Sequence, residues 1–107
     1  MLSETKTALR ITTEAYDTEI ASLLSAAARD LEIAGVIIPG AVNIYFDGQT
    51  GAEDLSDITD PLVTRAMITY VRMHFGSPAD YDRLAESYEL QKVQLMHAEG
   101  YTNYDRL

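Results

Sequence analysis

Residues 60–76 of this chain, "DPLVTRAMITYVRMHFG", limit its fold more than any other stretch. Asp60 is placed to cap a helix, Pro61 suits the first helical position where its missing N–H costs nothing, and Gly76 ends the run. Within these bounds Leu62, Val63, Ala66, Met67, Tyr70, Val71 and Phe75 make an apolar band too broad for a helix that packs on one side. The spacing therefore predicts a central helix covered on more than one flank.

Two further segments have the periodicity to cover it. In "DTEIASLLSAAARDLEIAG", Ile20, Leu23, Leu24, Ala27, Leu31 and Ala34 follow the i, i+3, i+4, i+7 rule. Asp17 reads as the N-cap and Gly35 as the stop, which predicts a helix over 18–34. In "SPADYDRLAESYELQKVQLMHAEG", Ser77, Pro78 and Asp80 read as N-cap, first helical residue and acidic third residue, a capping box with aspartate in place of glutamate. Tyr81, Leu84, Tyr88, Gln91 and Leu95 then mark one face, with Val93 and Met96 on its flank. At 1.5 Å per residue this helix reaches roughly 30 Å, long enough for one end to project or to meet a partner. A short N-terminal helix, capped by Ser3, runs to about Leu9, and residues 101–107 show no periodicity and read as a flexible tail. The fold class expected is mainly α: a small bundle of three main helices plus a short N-terminal helix, with a long loop or hairpin between the first and second main helices.

That connection covers residues 36–59, 24 residues where links between helices usually take about 2 to 8. "AVNIYF" has the residue types of a short strand and "DGQTG" is turn chemistry, yet a lone hairpin is marginal in water. Residues 42–46 are apolar enough to want burial, while 47–60 carry five acids and no base. The segment is poorly suited to folding over its own helices. Either it packs on them or it acquires its partner from another chain. The candidate oligomer or partner interface is accordingly Asn43, Ile44, Tyr45, Phe46, Asp47, Glu53, Asp54 and Asp57.

Length and charge narrow the possibilities. With 107 residues the chain is expected to form a single domain over 1–107 with one modest core. There is no cysteine, which excludes disulfides, a thiolate metal site and a cysteine nucleophile. The N-terminus shows no secretion signal, and no apolar run approaches the roughly 20 residues that span a bilayer. Net charge is −9: residues 1–35 contribute −3, 36–60 contribute −5 and 61–107 contribute −1. A surface this acidic disfavours tight binding along nucleic acid.

Catalytic and metal chemistry finds little support in the residues. His74 and His97 have no partner at metal-ligand spacing and read as surface or interface histidines. A calcium loop starting at Asp47 fails at Gln49 and Gly51 and lacks the closing glutamate, which leaves a solvated acidic loop among Asp47, Glu53, Asp54 and Asp57. Gly48 and Gly51 are not followed by the GK[ST] of a phosphate loop, and no context marks a nucleophile elbow or triad. The pairs Asp80/Asp82 and Glu86/Glu89 read as solubilising charges. A helix-turn-helix through Gly76, Ser77 and Pro78 would open its recognition helix with Asp80 and Asp82, where a groove reader wants bases and amides. Tyr81 and Tyr88 read as core residues, or more sharply as a partner surface. No enzyme activity, cofactor or metal is expected.

Taken together, "LRI", "AYDTEIASLLSAAARDLEIAGV", "DPLVTRAMITYVRMHFGSPAD" and "SYELQKVQLMHAEGY" resemble, in order, spacing and residue types, the head-tail connector proteins of tailed bacteriophages and prophages, also called head-completion or DNA-packaging adaptor proteins. The resemblance runs from about Leu9 to Tyr101 and is carried by Leu9, Asp17, Ala27, Gly35, Asp60, Ala66, Tyr70, Gly76, Tyr88 and Tyr101. It implies a helical subunit of a homo-oligomeric ring of about a dozen copies, closed by head-to-tail contacts, that docks under the portal protein. The ring extends the DNA channel, through which DNA passes without tight binding, and offers a platform for a tail or stopper protein. It also implies residence at the virion head-tail junction, after a stage in the bacterial host cytoplasm, and no membrane contact. Residues 36–59 fall where the family carries its variable loop and are read as an assembly element. The alternative is a small acidic helical interaction module, regulatory or antitoxin-like, that binds one partner through that loop.

Overall fold

The computed structural model describes residues 1–36, 38, 58 and 60–98. Its elements are α1 (Leu2–Leu9), α2 (Asp17–Ile33), α3 (Pro61–His74) and α4 (Tyr81–His97), with no strand among the described residues. The mainly helical class holds, and the second main helix is central: α3 packs against α1, α2 and α4.

Local chemistry sets the ends of α3 and the end of α2. The Asp60 carboxylate accepts the backbone N–H groups of Leu62 at 3.0 Å and Val63 at 3.2 Å, with Pro61 at the first helical position. At the far end of α2, Gly35 adopts φ +97°, which an L side chain strongly disfavours. Its N–H bonds to the Glu32 carbonyl and that of Val36 to the Leu31 carbonyl, both at 3.0 Å, the paired closure of a Schellman motif. Leu31 and Val36 both enter the core, so the stop also turns the chain inward.

Three starts differ from those the sequence predicts. Helix α1 begins one residue before Ser3, because the Met1 carbonyl accepts both the N–H and the hydroxyl of Thr5, at 3.1 and 2.8 Å. Asp17 lies inside α2, and its carboxylate is held by Lys6 of α1 at 2.8 Å, so Tyr16 takes the cap position. A negative group in the first turn still complements the helix dipole. Helix α4 starts at Tyr81, with Asp80 in the cap position, and Ser77 and Pro78 belong to the link. Axes of packed helices lie about 8–10 Å apart, and residues 75–80 are used in crossing that gap and reversing direction. The Asp80 carboxylate accepts from Arg83 and makes no capping bond to the first turn of α4.

The core is drawn from α2, α3 and α4, with Leu2 and Leu9 of α1 packed against it. Ile20, Leu24, Ala27, Ala28 and Leu31 come from α2; Val63, Ala66, Met67, Val71 and Met73 from α3; Leu84, Tyr88 and Leu95 from α4. Ile38 and Ile58, at the two ends of the long connection, are both buried in the same core. The predicted faces need several corrections. Leu62, Tyr81 and Val93 are exposed by 41%, 43% and 44%, Tyr70 is half-buried, and the unpredicted Thr69 and Met73 are buried. Tyr81 lies in the first turn of α4 and Leu62 in the first turn of α3, where the partner helix offers no cover. At about 100° per residue, Val93 sits some 160° from Leu95 around α4 and so on its outer side.

Met67 and Leu24 have no exposed surface, so each truncated to alanine should cost about 2–5 kcal/mol. Tyr70→Ala should cost less, about 1–3 kcal/mol, because part of its ring is already in water. Denaturant titrations of the three variants test that order, and a Tyr70 loss equal to the other two would contradict the packing.

Candidate functional site

All eight residues of the predicted interface, Asn43, Ile44, Tyr45, Phe46, Asp47, Glu53, Asp54 and Asp57, lie outside the described residues. So does the possible strand over 42–46. Two residues that flank them are described: Ile38 and Ile58 are buried in the core, and Ile58 lies two residues before the Asp60 cap of α3.

Two features of the described surface were not visible in the sequence. The first is a groove of about 630 Å³ between α3 and α4. Arg65 and Arg72 of α3 stand seven residues apart, two helical turns, and therefore point to one side. Arg83 reaches into the same groove from α4, beside Ser87 and Gln91, and Glu4 of α1 is the one acid on its wall. Arg83 is bonded to Asp80, whereas Arg65 and Arg72 form no salt bridge with any carboxylate among the described residues. A chain of net charge −9 thus gathers three of its eight lysines and arginines in one groove. An adjoining hollow of about 220 Å³ continues along the same two helices and is lined by Leu62, Leu90, Gln94 and Leu95. Leu62 and Leu90 are exposed there by 41% and 68%, beside Arg65, Ser87, Gln91 and Gln94, so this end of the groove sets open leucines among polar side chains. The seven-residue spacing of Arg65 and Arg72 was the available signal. The contribution of Arg83 was not readable, because it depends on how α4 packs.

The second feature ties α2 to α4. The Tyr88 hydroxyl donates to the Asp30 carboxylate at 2.5 Å, and Lys92 Nζ lies 3.3 Å from that carboxylate and 3.2 Å from Glu89. Lys92 also lies over the Tyr88 ring, 5.2 Å from its centroid. Burial pushes the Tyr88 hydroxyl well above its ordinary value, and the bond to Asp30 adds to the rise because it is made by the protonated form. Burial opposes the charge of Lys92, but Glu89 and Asp30 outweigh it and its pKa rises. Tyr70 packs edge-on to Tyr88 at 5.4 Å and tilted against His74 at 4.4 Å, and His74 meets Tyr81 at 6.2 Å. His74 is thus part of an aromatic row. No group of three or more potential metal ligands occurs among the described residues.

The Asp30, Tyr88 and Lys92 cluster is a structural tie. The arginine-lined groove presents guanidinium groups, which bond carboxylates in planar, bidentate fashion.

Comparison with known proteins gives one match. The family described as phage connector protein matches residues 1–102, nearly the whole chain, including the 36–59 connection. No curated protein and no solved structure matches. No described helix is long and apolar enough to cross a membrane.

Tyr88→Phe gives a test of the α2–α4 tie through pH. An unfolded tyrosine ionises near 10, while folded Tyr88 holds its proton to higher pH. Folding therefore loses stability as pH rises past about 10, where the unfolded chain releases a proton that the folded one keeps. Urea midpoints taken from pH 8 to 11 should fall more steeply for the wild type than for Tyr88→Phe. Parallel curves would show that Tyr88 is not held as described.

Proposed function

The chain belongs to the phage connector protein family, and on that basis we propose that it is a structural subunit of a head-tail connector ring. The ring docks beneath the portal protein, extends the DNA channel and carries the tail or a stopper protein. The observation that supports this most is the extent of the family match, which takes in all four helices and the long connection between α2 and α3.

The physical properties of the chain agree with the role. Head-to-tail contacts that close on themselves give cyclic rings, and such contacts need two different surfaces on each subunit. One is supplied by residues 36–59, whose apolar stretch over 42–46 and acidic stretch over 47–57 are unmatched in charge by anything near them in sequence. A net charge of −9 favours a channel wall that repels phosphate, so that the duplex is kept from sticking as it passes. The subunit acts at the head-tail junction of the virion, and its work is positional: it joins portal and tail components and performs no chemistry on them.

Sedimentation velocity of the purified chain, alone and with its portal protein, tests the ring. A species of about a dozen copies is expected, on the portal if not alone. Replacing Asn43–Asp57 with a short glycine linker should leave helicity and cooperative melting nearly unchanged and should abolish that species. Collapse of the fold would make the segment a core element, and undiminished assembly would remove it from the interface.

A further inference from the structure

The groove between α3 and α4 has two dissimilar ends. Arg72 and Arg83 make it basic toward the C-terminal end of α3 and the start of α4, and Arg65, near the N-terminal end of α3, carries the basic lining along its length. Toward the N-terminal end of α3 and the later part of α4 it adds the exposed leucines Leu62 and Leu90, beside Arg65, Gln91 and Gln94. Helices on which a monomer has no further packing to do seldom leave such a pair of features open on one continuous surface.

The chain contains a segment of matching composition. "NIYF", residues 43–46, is apolar and aromatic, and Asp47, Glu53, Asp54 and Asp57 follow it without a base among them. The lengths are compatible. Leu62 and Arg72 are ten residues apart on α3, about 15 Å at 1.5 Å per residue. Phe46 and Asp54 are eight residues apart and span up to about 26 Å when extended. An extended strand can therefore lay its aromatic end in the hollow beside Leu62 and Leu90 and bring its carboxylates to Arg65 and Arg72.

We propose that this groove is the receptor for the segment 43–57 of a second copy of the chain, so that each subunit inserts its acidic segment into the arginine-lined groove of the next. The proposal rests on the ring reading above and identifies the surface that receives the assembly segment. Segment and groove are different surfaces, so the contact is heterologous, as a closed ring requires. Arg65 and Arg72, which form no salt bridge among the described residues, each gain a carboxylate in the contact. Duplex DNA is the poorer occupant, because a phosphate backbone offers nothing to the exposed leucines and the rest of the chain repels it.

The test uses the full chain and a fluorescent peptide of residues 42–58, with binding read by anisotropy and assembly by sedimentation velocity. Arg65→Glu/Arg72→Glu alters two exposed side chains, and an unchanged thermal midpoint verifies its fold. The wild-type chain should bind the peptide, with affinity falling as salt rises, and the double variant should bind at least about tenfold more weakly. A peptide with Asp47, Glu53 and Asp54 changed to lysine should reverse that preference. Equal affinity for both proteins overturns the proposal. So does absence of binding to the wild type, including the case in which a chain's own segment fills its groove, and so does displacement of the peptide by duplex DNA at physiological salt. Rings formed equally by wild type and double variant would overturn the groove while leaving the ring reading intact. A wild type that binds the peptide at this groove but assembles neither alone nor on its portal would refute the ring and not the receptor.

Discussion

Helix α3 has buried residues on too much of its circumference to sit at a surface. Val63, Ala66, Met67 and Val71 have no exposed area, and with Thr69 and Met73 they occupy an arc of about 200° when projected down the axis. Burying one such apolar side chain contributes roughly 1.5–3 kcal/mol, so leaving either flank of α3 in water would forfeit much of the chain's modest stability. This forces α2 and α4 onto its two sides and α1 against its remaining edge. What is left of α3 is a narrow outer strip with Arg65, Ile68 and Arg72, and that strip is the floor of the basic groove. The groove is thus a by-product of how completely the rest of the helix is used.

With α3 between them, α2 and α4 meet through long side chains. Asp30 reaches from α2 to Tyr88 and Lys92, residues 58 and 62 positions further along the chain. Tyr70 of α3 fills the space below, edge-on to the Tyr88 ring. The arrangement lets a tyrosine with 2% exposure be buried without an orphaned hydroxyl, because its one strong donor faces a carboxylate. It also fixes the rotation of α4 about its axis. That rotation places Arg83 and Gln91 on the groove and turns Leu90 and Val93 outward.

The folded chain sorts its charges in a way the net value conceals. Its bases are few, yet three of them share one groove, while the acidic stretch nearest in sequence, residues 47–57, carries no base at all. In the ring proposed above, this sorting would supply attraction between copies and repulsion for phosphate, two requirements that a connector around a DNA path has to meet together.

Sequence alone determined what depends on chemistry within one helical turn. Asp60 with Pro61 starts α3 and Gly35 ends α2, because a carboxylate over free N–H groups and a positive φ are decided by neighbouring residues. The breadth of the apolar band likewise marked α3 as central, since periodicity counts faces without knowing what covers them. Ser3, Asp17 and Ser77 were misread as caps for the converse reason. Asp17 was taken by Lys6 of another helix, and the start of α4 was set by the reversal needed after α3, which leaves Ser77 in the link. Only the tertiary structure decided that Tyr70 is partly exposed, that Asp30 belongs with Lys92, and that Arg83 joins Arg65 and Arg72. Each depends on the angle and register at which helices pack, and those are fixed by the whole core at once.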